Sequence, residues 1–446
     1  MNEQALGLGN RNIARPRRPR AAIIPLDERW TVWTIWAVLL ANFVREVLGQ
    51  SMLVSFGFYT LHVVDPPVLM AIASTFIGLN YRRPRGGLIL IPILLIAVII
   101  IINLVRGLQA NPAVALLWAR VNMATGFLCL MATICPATHA VHAAIRKALV
   151  TTGIMVAVLG VARLLSSPDL FMTASYASVD DVNDGGRILT THGGFHMGLA
   201  ATLMLSDVLR RGVNKSPWQL LALFILVSVE LASGQGTSTL AMFAMLTVVL
   251  TLERGSLSGT RLVIGGALLL AGIGSWVTIR SIDLTGIHIA GFDLGHRSDN
   301  LETREAIWSS LMRAWPKLDL YDQLFGLPGG QIPYLLVYRS NVLNQWTLQM
   351  HSMYYGALNI MGYVGYWCYV AILAILTFAA QLKSRRRSGN FTKPAYGIAM
   401  CVGTAILSYS YEMQNADIFG LFISIWWYGF PFATQNRSGS ASPSEA

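Results

Sequence analysis

Apolar residues run along the chain in long unbroken stretches divided by short polar segments, without the alternation of a half-buried strand. Each stretch approaches the roughly 20 residues that a helix needs to cross a hydrocarbon layer, and is too long for a barrel strand. The pattern predicts spans over residues 31–49, 64–81, 87–105, 113–134, 148–167, 192–209, 217–232, 237–252, 262–279, 353–380, 395–412 and 417–434. The fold class expected is an all-α polytopic integral membrane protein with about twelve transmembrane helices.

The polar segments orient these spans. Residues 1–29 form a basic tail with Arg11, Arg15, Arg17, Arg18 and Arg20, and no small-residue cleavage site follows the first apolar run, which reads as an uncleaved anchor. With that tail inside, the even-numbered spans lead into Arg82, Arg83 and Arg85, then Arg146 and Lys147, then Arg210, Arg211 and Lys215. Arg254 and Arg261 follow, and then Lys383, Arg385, Arg386 and Arg387, so every internal loop is basic, as positive-inside orientation requires. The organisation expected is a cytoplasmic tail (1–29), nine helices (30–279), a large periplasmic loop (280–352), three helices (353–434) and a second cytoplasmic tail (435–446). Residues 168–191 form a further outer segment.

Within the large loop, SDNLETREAIWSSLMRAW predicts an amphipathic helix capped by Asp299 with Glu302 three residues on. Its apolar stripe is Ile307, Trp308, Leu311 and Trp315, the two tryptophans serving as core rather than as sugar platforms, and Arg304 lies on the stripe one turn before Trp308.

Composition narrows the class. Of 446 residues, 54% are hydrophobic and 12% charged, with mean hydropathy +0.53, which excludes a water-soluble multidomain protein. The net charge of +11 lies mostly in the short segments between apolar runs, so it reports topology and not a nucleic-acid surface. Cys129, Cys135, Cys368 and Cys401 lie in apolar runs or at their ends and imply no disulfide framework.

Ionisable residues inside spans are costly and point to function or to pairing. Arg120, Arg163, Glu230, Glu412 and Asp417 fall in the outer halves of their spans, beside Gln235, Arg280 and the large loop, with Arg45 and Glu46 near the outer end of the first span. One reading is ion pairing within or between helices. The other is a site for an anionic ligand such as a diphosphate, whose oxygens match guanidinium forks. His296, Asp299 and Glu302 form a rival metal set, but Asp299 and Glu302 are better explained as a capping pair, so neither metal nor cofactor is expected. The chain has no phosphate-cradling glycine loop, serine elbow or zinc motif.

Three features together resemble the O-antigen ligase and O-antigen polymerase superfamily of bacterial membrane glycosyltransferases, whose architecture is GT-C-like. They are the dozen or so helices with one large late periplasmic loop, the Arg304 and Trp308 pair, and His351 followed by Gly362 and Gly365 in HSMYYGALNIMGYVG. The resemblance implies metal-independent glycosyl transfer at the periplasmic face of the inner membrane, from an undecaprenyl-diphosphate-linked oligosaccharide donor to a sugar hydroxyl. It places the catalytic base on His351 and a donor-diphosphate arginine on Arg304. The chain departs from the family pattern at SGQGTST, where Gln235 stands in place of a second phosphate arginine, and at Ser352, where asparagine is usual. GRILTTHGGFHMG around Arg187 matches the outer-loop arginine segment loosely, so Arg187, Arg163 or Arg280 is needed to supply the missing charge, with Arg120 and Tyr355 as further substrate-binding candidates.

The chemistry accords with that placement. A sugar hydroxyl is a poor nucleophile and gains from a base titrating near neutrality, as unperturbed histidine does at ~6.5. A diphosphate leaving group needs charge stabilisation more than a proton. The plainer reading of His351 is an interfacial helix-capping residue, that of Tyr354 and Tyr355 is interfacial aromatics, and that of Gly362 and Gly365 is close helix packing.

The function expected is polymerisation of lipid-linked repeat units for an exopolysaccharide or O-antigen, with a chain-length regulator and export proteins as partners. A ligase acting on lipid A core is the near alternative. A transporter or lipid-linked oligosaccharide flippase is the rival from another class; such folds carry repeat halves and helices interrupted near the midplane, whereas these charges gather at one leaflet.

Overall fold

The computed structural model of the protein describes residues 26–48, 52–56, 59–63, 65–81, 87–134, 138–166, 189–212, 216–233, 236–252, 259–281, 288–289, 292–293, 308–331, 352–385 and 395–410. Every expected span up to residue 412 holds a helix: α1 (Leu26–Leu48), α2 (Asp65–Tyr81), α3 (Leu90–Ala110), α4 (Pro112–Ile134), α5 (His139–Leu165) and α6 (Thr191–Arg211). They continue as α7 (Pro217–Ser233), α8 (Gly236–Leu252), α9 (Gly259–Ser281), and, beyond the loop, α12 (Met353–Arg385) and α13 (Ala395–Ser410). Between them lie α10 (308–314), a 3-10 turn (Trp315–Lys317) and α11 (Leu320–Phe325). The expected span 417–434 lies outside the described residues.

Among the described residues, three helices are long and apolar enough to cross a membrane, over Leu90–Ala110, Ala143–Leu165 and Met353–Phe378. Shorter apolar helices occupy Pro217–Ser233, Gly236–Leu252, Val263–Gly274 and Ala395–Tyr409.

Helix starts follow local chemistry. Pro112 and Pro217 open α4 and α7, where a missing N–H costs no helical bond. Thr138, Thr190 and Asp319 cap α5, α6 and α11 through side-chain oxygens. Gly212 and Gly326 follow α6 and α11 with φ of 91° and 87°.

Two features depart from the expected uninterrupted all-α pattern. Short antiparallel ribbons pair Met52–Phe56 with Tyr59–His62 and His288–Ile289 with Phe292–Asp293, in connections where backbone groups must find partners outside helices. Inside α12, Gly362 has φ 63° and ψ −167°, so the helix is broken there rather than continuous. That conformation is reserved almost wholly to glycine.

The bundle closes through small residues and thioethers. A Cβ at Gly198 or Gly403 would meet the Met245 side chain, and one at Gly153 would meet Ala200, so α6, α8 and α13, and α5 with α6, approach closely. Met245, Phe195, Tyr369 and Leu128 are fully enclosed in the main core. Charge ties α5 to two neighbours, through Arg146 and Asp207 of α6 at one end and through Arg163 and Glu46 of α1 at the other.

Candidate functional site

Two buried carboxylates lie at one end of the bundle, each against the N-terminus of a helix. Glu46 of α1 accepts from Arg163 Nη1 of α5 at 3.0 Å, while the Glu46 backbone carbonyl accepts from Arg163 Nη2 at 2.6 Å. The same carboxylate accepts from the Thr190 backbone N–H at 2.9 Å and from the Thr190 hydroxyl. Thr190 in turn caps α6, accepting from Gly193 N–H at 3.2 Å. Three helices are thereby joined by one ion pair, and the negative charge meets the positive end of the α6 dipole.

Glu230 of α7 accepts from the hydroxyls of Ser238 and Thr239 in the first turn of α8. Its other oxygen faces α6, where a Cβ at Gly194 would stand 2.6 Å from Oε2. Any side chain at 194 would displace the Glu230 carboxylate or the Ser238 hydroxyl, and the hydroxyls come from the SGQGTST turn itself. The sequence marks Glu46, Arg163 and Glu230 as outer-half charges; their partners Thr190, Ser238 and Thr239 become visible only when the helices are packed.

Arg163 is 4% exposed and bonded to Glu46 through both terminal nitrogens, which realises the interhelical ion pair. Its charge is matched inside the protein.

The large loop docks on α12. Trp308, Leu311 and Trp315 form a buried cluster with Leu358 of α12, packed also by Leu318 and Tyr355. Trp308 stacks on Tyr355, with ring centroids 5.0 Å apart and planes 17° from parallel, and meets Tyr409 of α13 edge-on at 5.5 Å. Trp315 meets Tyr363 edge-on at 6.2 Å. Trp308, Leu311 and Trp315 of the expected apolar stripe thus form the docking face of the described segment, with Tyr355 packed against it, and Ile307 lies outside the described residues. The head of α12 is held from the other side by α13, with Ser352 Oγ donating to Ser408 O at 3.2 Å and Tyr354 OH to Ala405 O at 3.3 Å.

Beyond the 3-10 turn, α11 enters the break in α12. A Cβ at Gly362 would lie against the backbone of Leu324 and Phe325, so the close approach at this glycine is to the loop and not to another long helix. Gly365 faces Met361 of its own helix. The break leaves carbonyls without helical partners, and they are taken up from outside: Leu327 N–H donates to Asn359 O at 3.2 Å, and Asn103 Nδ2 of α3 donates to Ile360 O at 2.9 Å.

His351, Arg304, Arg187 and Gln235 lie outside the described residues, as do His296, Asp299 and Glu302. Arg120 lies in α4 and Arg280 in α9. Trp308 and Tyr355, which stack, each stand four residues after one of the two principal candidates in the sequence, Arg304 and His351. Among the described residues, no three His, Cys, Asp or Glu side chains gather as a metal-ligand set. No protein-family model matches the chain, and no curated protein matches it.

Proposed function

We propose that the chain is a polytopic membrane glycosyltransferase that polymerises undecaprenyl-diphosphate-linked oligosaccharide repeat units at the outer face of a bacterial inner membrane. The observation that carries this reading is the stack of Trp308 on Tyr355, which joins the docked segment to the head of α12 and falls four residues after Arg304 and four after His351 in the sequence. In the reading, His351 takes the proton of the acceptor hydroxyl as that oxygen attacks the anomeric carbon, and the bond to the lipid diphosphate breaks. The departing diphosphate keeps the electron pair and is steadied by Arg304, a fork suited to its oxygens.

The length of α12 supports a boundary site. It has 33 residues, and its apolar part, Met353–Phe378, runs to 26, more than the roughly 20 that a crossing needs. In the reading, the surplus at its N-terminal end and the docked segment 308–331 lie at the membrane surface, where a lipid tail stays in the bilayer while its head reaches the protein. The topology belongs to the same proposal: about twelve spans with both termini cytoplasmic and residues 280–352 periplasmic.

One observation favours the transporter reading, because broken helices mark transport sites. The break at Gly362, however, is filled by loop backbone and by Asn103. Purified protein in vesicles, supplied only with lipid-linked repeat units, tests the choice: a ladder of longer lipid-linked glycans supports the polymerase. Movement of intact donor between leaflets without new glycosidic bonds points to the flippase, and transfer only when lipid A core is added points to the ligase.

A further inference from the structure

Resting on that functional reading, we infer that Asn103 and Arg106 of α3 are positioning residues of the site at the head of α12. Both are polar residues in a strongly apolar helix, where an unpaired polar group is costly, and both are spent entirely on the loop and the break. Asn103 Nδ2 donates to Phe325 O at 2.7 Å and to Ile360 O at 2.9 Å, and its backbone carbonyl accepts from Gly329 N–H at 2.7 Å. Arg106 donates to Gly326 O at 2.9 Å and to Asn103 Oδ1 at 3.1 Å, pairs with Asp322, and carries the Tyr321 ring 4.7 Å from its guanidinium carbon.

Two chain segments distant in sequence therefore share one clamp. Asn103 holds the C-terminal end of α11 and the broken carbonyl of α12 with the same amide. The clamp cannot be loosened by small steps, since a side chain at Gly107 would strike Gly329 and one at Gly329 would strike Trp118. What it fixes is the register of the segment 320–331 on α12. In the functional reading a fault in that register shifts the loop relative to the head of α12 without removing a donor contact, so the loss falls on kcat rather than on donor KM.

The test uses the full chain in detergent or vesicles, comparing Arg106→Glu, Asp322→Arg and the double exchange. Hydrogen exchange of the peptide covering residues 320–331 reads the clamp directly, since Leu327 and Gly329 N–H are bonded to Asn359 O and Asn103 O. Each single change is expected to speed that exchange about tenfold or more and to lower kcat per folded molecule about tenfold or more, with donor KM within about twofold. The double exchange is expected to recover the part of both that the ion pair supplies, and not the part carried by donation to Gly326 O and Asn103 Oδ1. Should Arg106→Glu fail to fold, Asp322→Asn, which keeps the shape and drops the charge, carries the same test with a smaller loss. Wild-type kcat in folded single variants whose exchange has risen overturns the inference and leaves the polymerase reading intact. A wild-type protein that forms no glycosidic bond overturns that reading and this inference with it.

Discussion

Trp308 lies flat on Tyr355, ring centroids 5.0 Å apart and planes 17° from parallel, and this contact joins the large loop to the first turn of α12. Offset aromatic contact adds to burial, and Trp308 is only 5% exposed. Removing the indole therefore takes away the main apolar anchor of the loop. Trp308→Ala is expected to destabilise the docked loop by about 3 kcal/mol or more, and Trp308→Phe by clearly less. Hydrogen exchange over residues 308–318 measures the difference; equal exchange in the wild type and Trp308→Ala contradicts the anchoring role.

The Glu46–Arg163 pair makes a different prediction, because a buried pair is worth little whole and costs much when halved. Arg163→Met leaves a buried carboxylate without its cation and is expected to cost about 3–5 kcal/mol. Adding Glu46→Gln, whose amide oxygen can still accept from the Thr190 N–H, is expected to recover at least half of that. Thermal denaturation of the single and double variants in one detergent gives the answer. Equal destabilisation in both shows that the charge itself is not what Arg163 balances.

Gly362 is required by conformation and Gly126 is not. At Gly362, φ is 63° and a Cβ would strike the backbone of Leu324, whereas at Gly126 a Cβ would meet nothing within 4 Å. Gly362→Ala should cost at least about 1–3 kcal/mol, and Gly126→Ala should be neutral or stabilise by up to about 1 kcal/mol. The melting temperatures of the two variants, which move in opposite directions or differ by several degrees if the break is real, decide the matter.

How much of this was legible in the sequence depends on the range of the interactions. The helices α3, α5 and α12 follow from apolar run length, a local property. The stripe Trp308, Leu311 and Trp315 also follows from helical spacing. The face it covers does not, since Leu358 and Tyr355 lie some 40 residues on in the chain. Arg163 and Glu46 are marked by their charge within apolar runs, but 117 residues separate them, and only packing chooses between a pair and a ligand site. Gly362 reads as a helix-packing residue because nothing in its neighbours announces a positive φ. Asn103 and Arg106 escaped attention at the end of an otherwise apolar run, although their polarity there was the signal.

Topology is open to chemical labelling. With the loop outside and the C-terminal end of α12 inside, a cysteine in place of Ser340 is expected to react with a membrane-impermeant thiol reagent in intact spheroplasts. One in place of Ser384 should react only after lysis. Reversed labelling puts the loop in the cytoplasm, away from any outer-leaflet donor.

The turnover of His351→Ala tests the proposed glycosyl transfer at the head of α12 most directly. In a folded preparation with unchanged exchange over residues 320–331 and unchanged donor binding, loss of the base is expected to lower the rate of glycan extension by about 10²-fold or more. Near-normal rate and product length in that variant would contradict the account, leaving His351 an interfacial residue at the start of a helix.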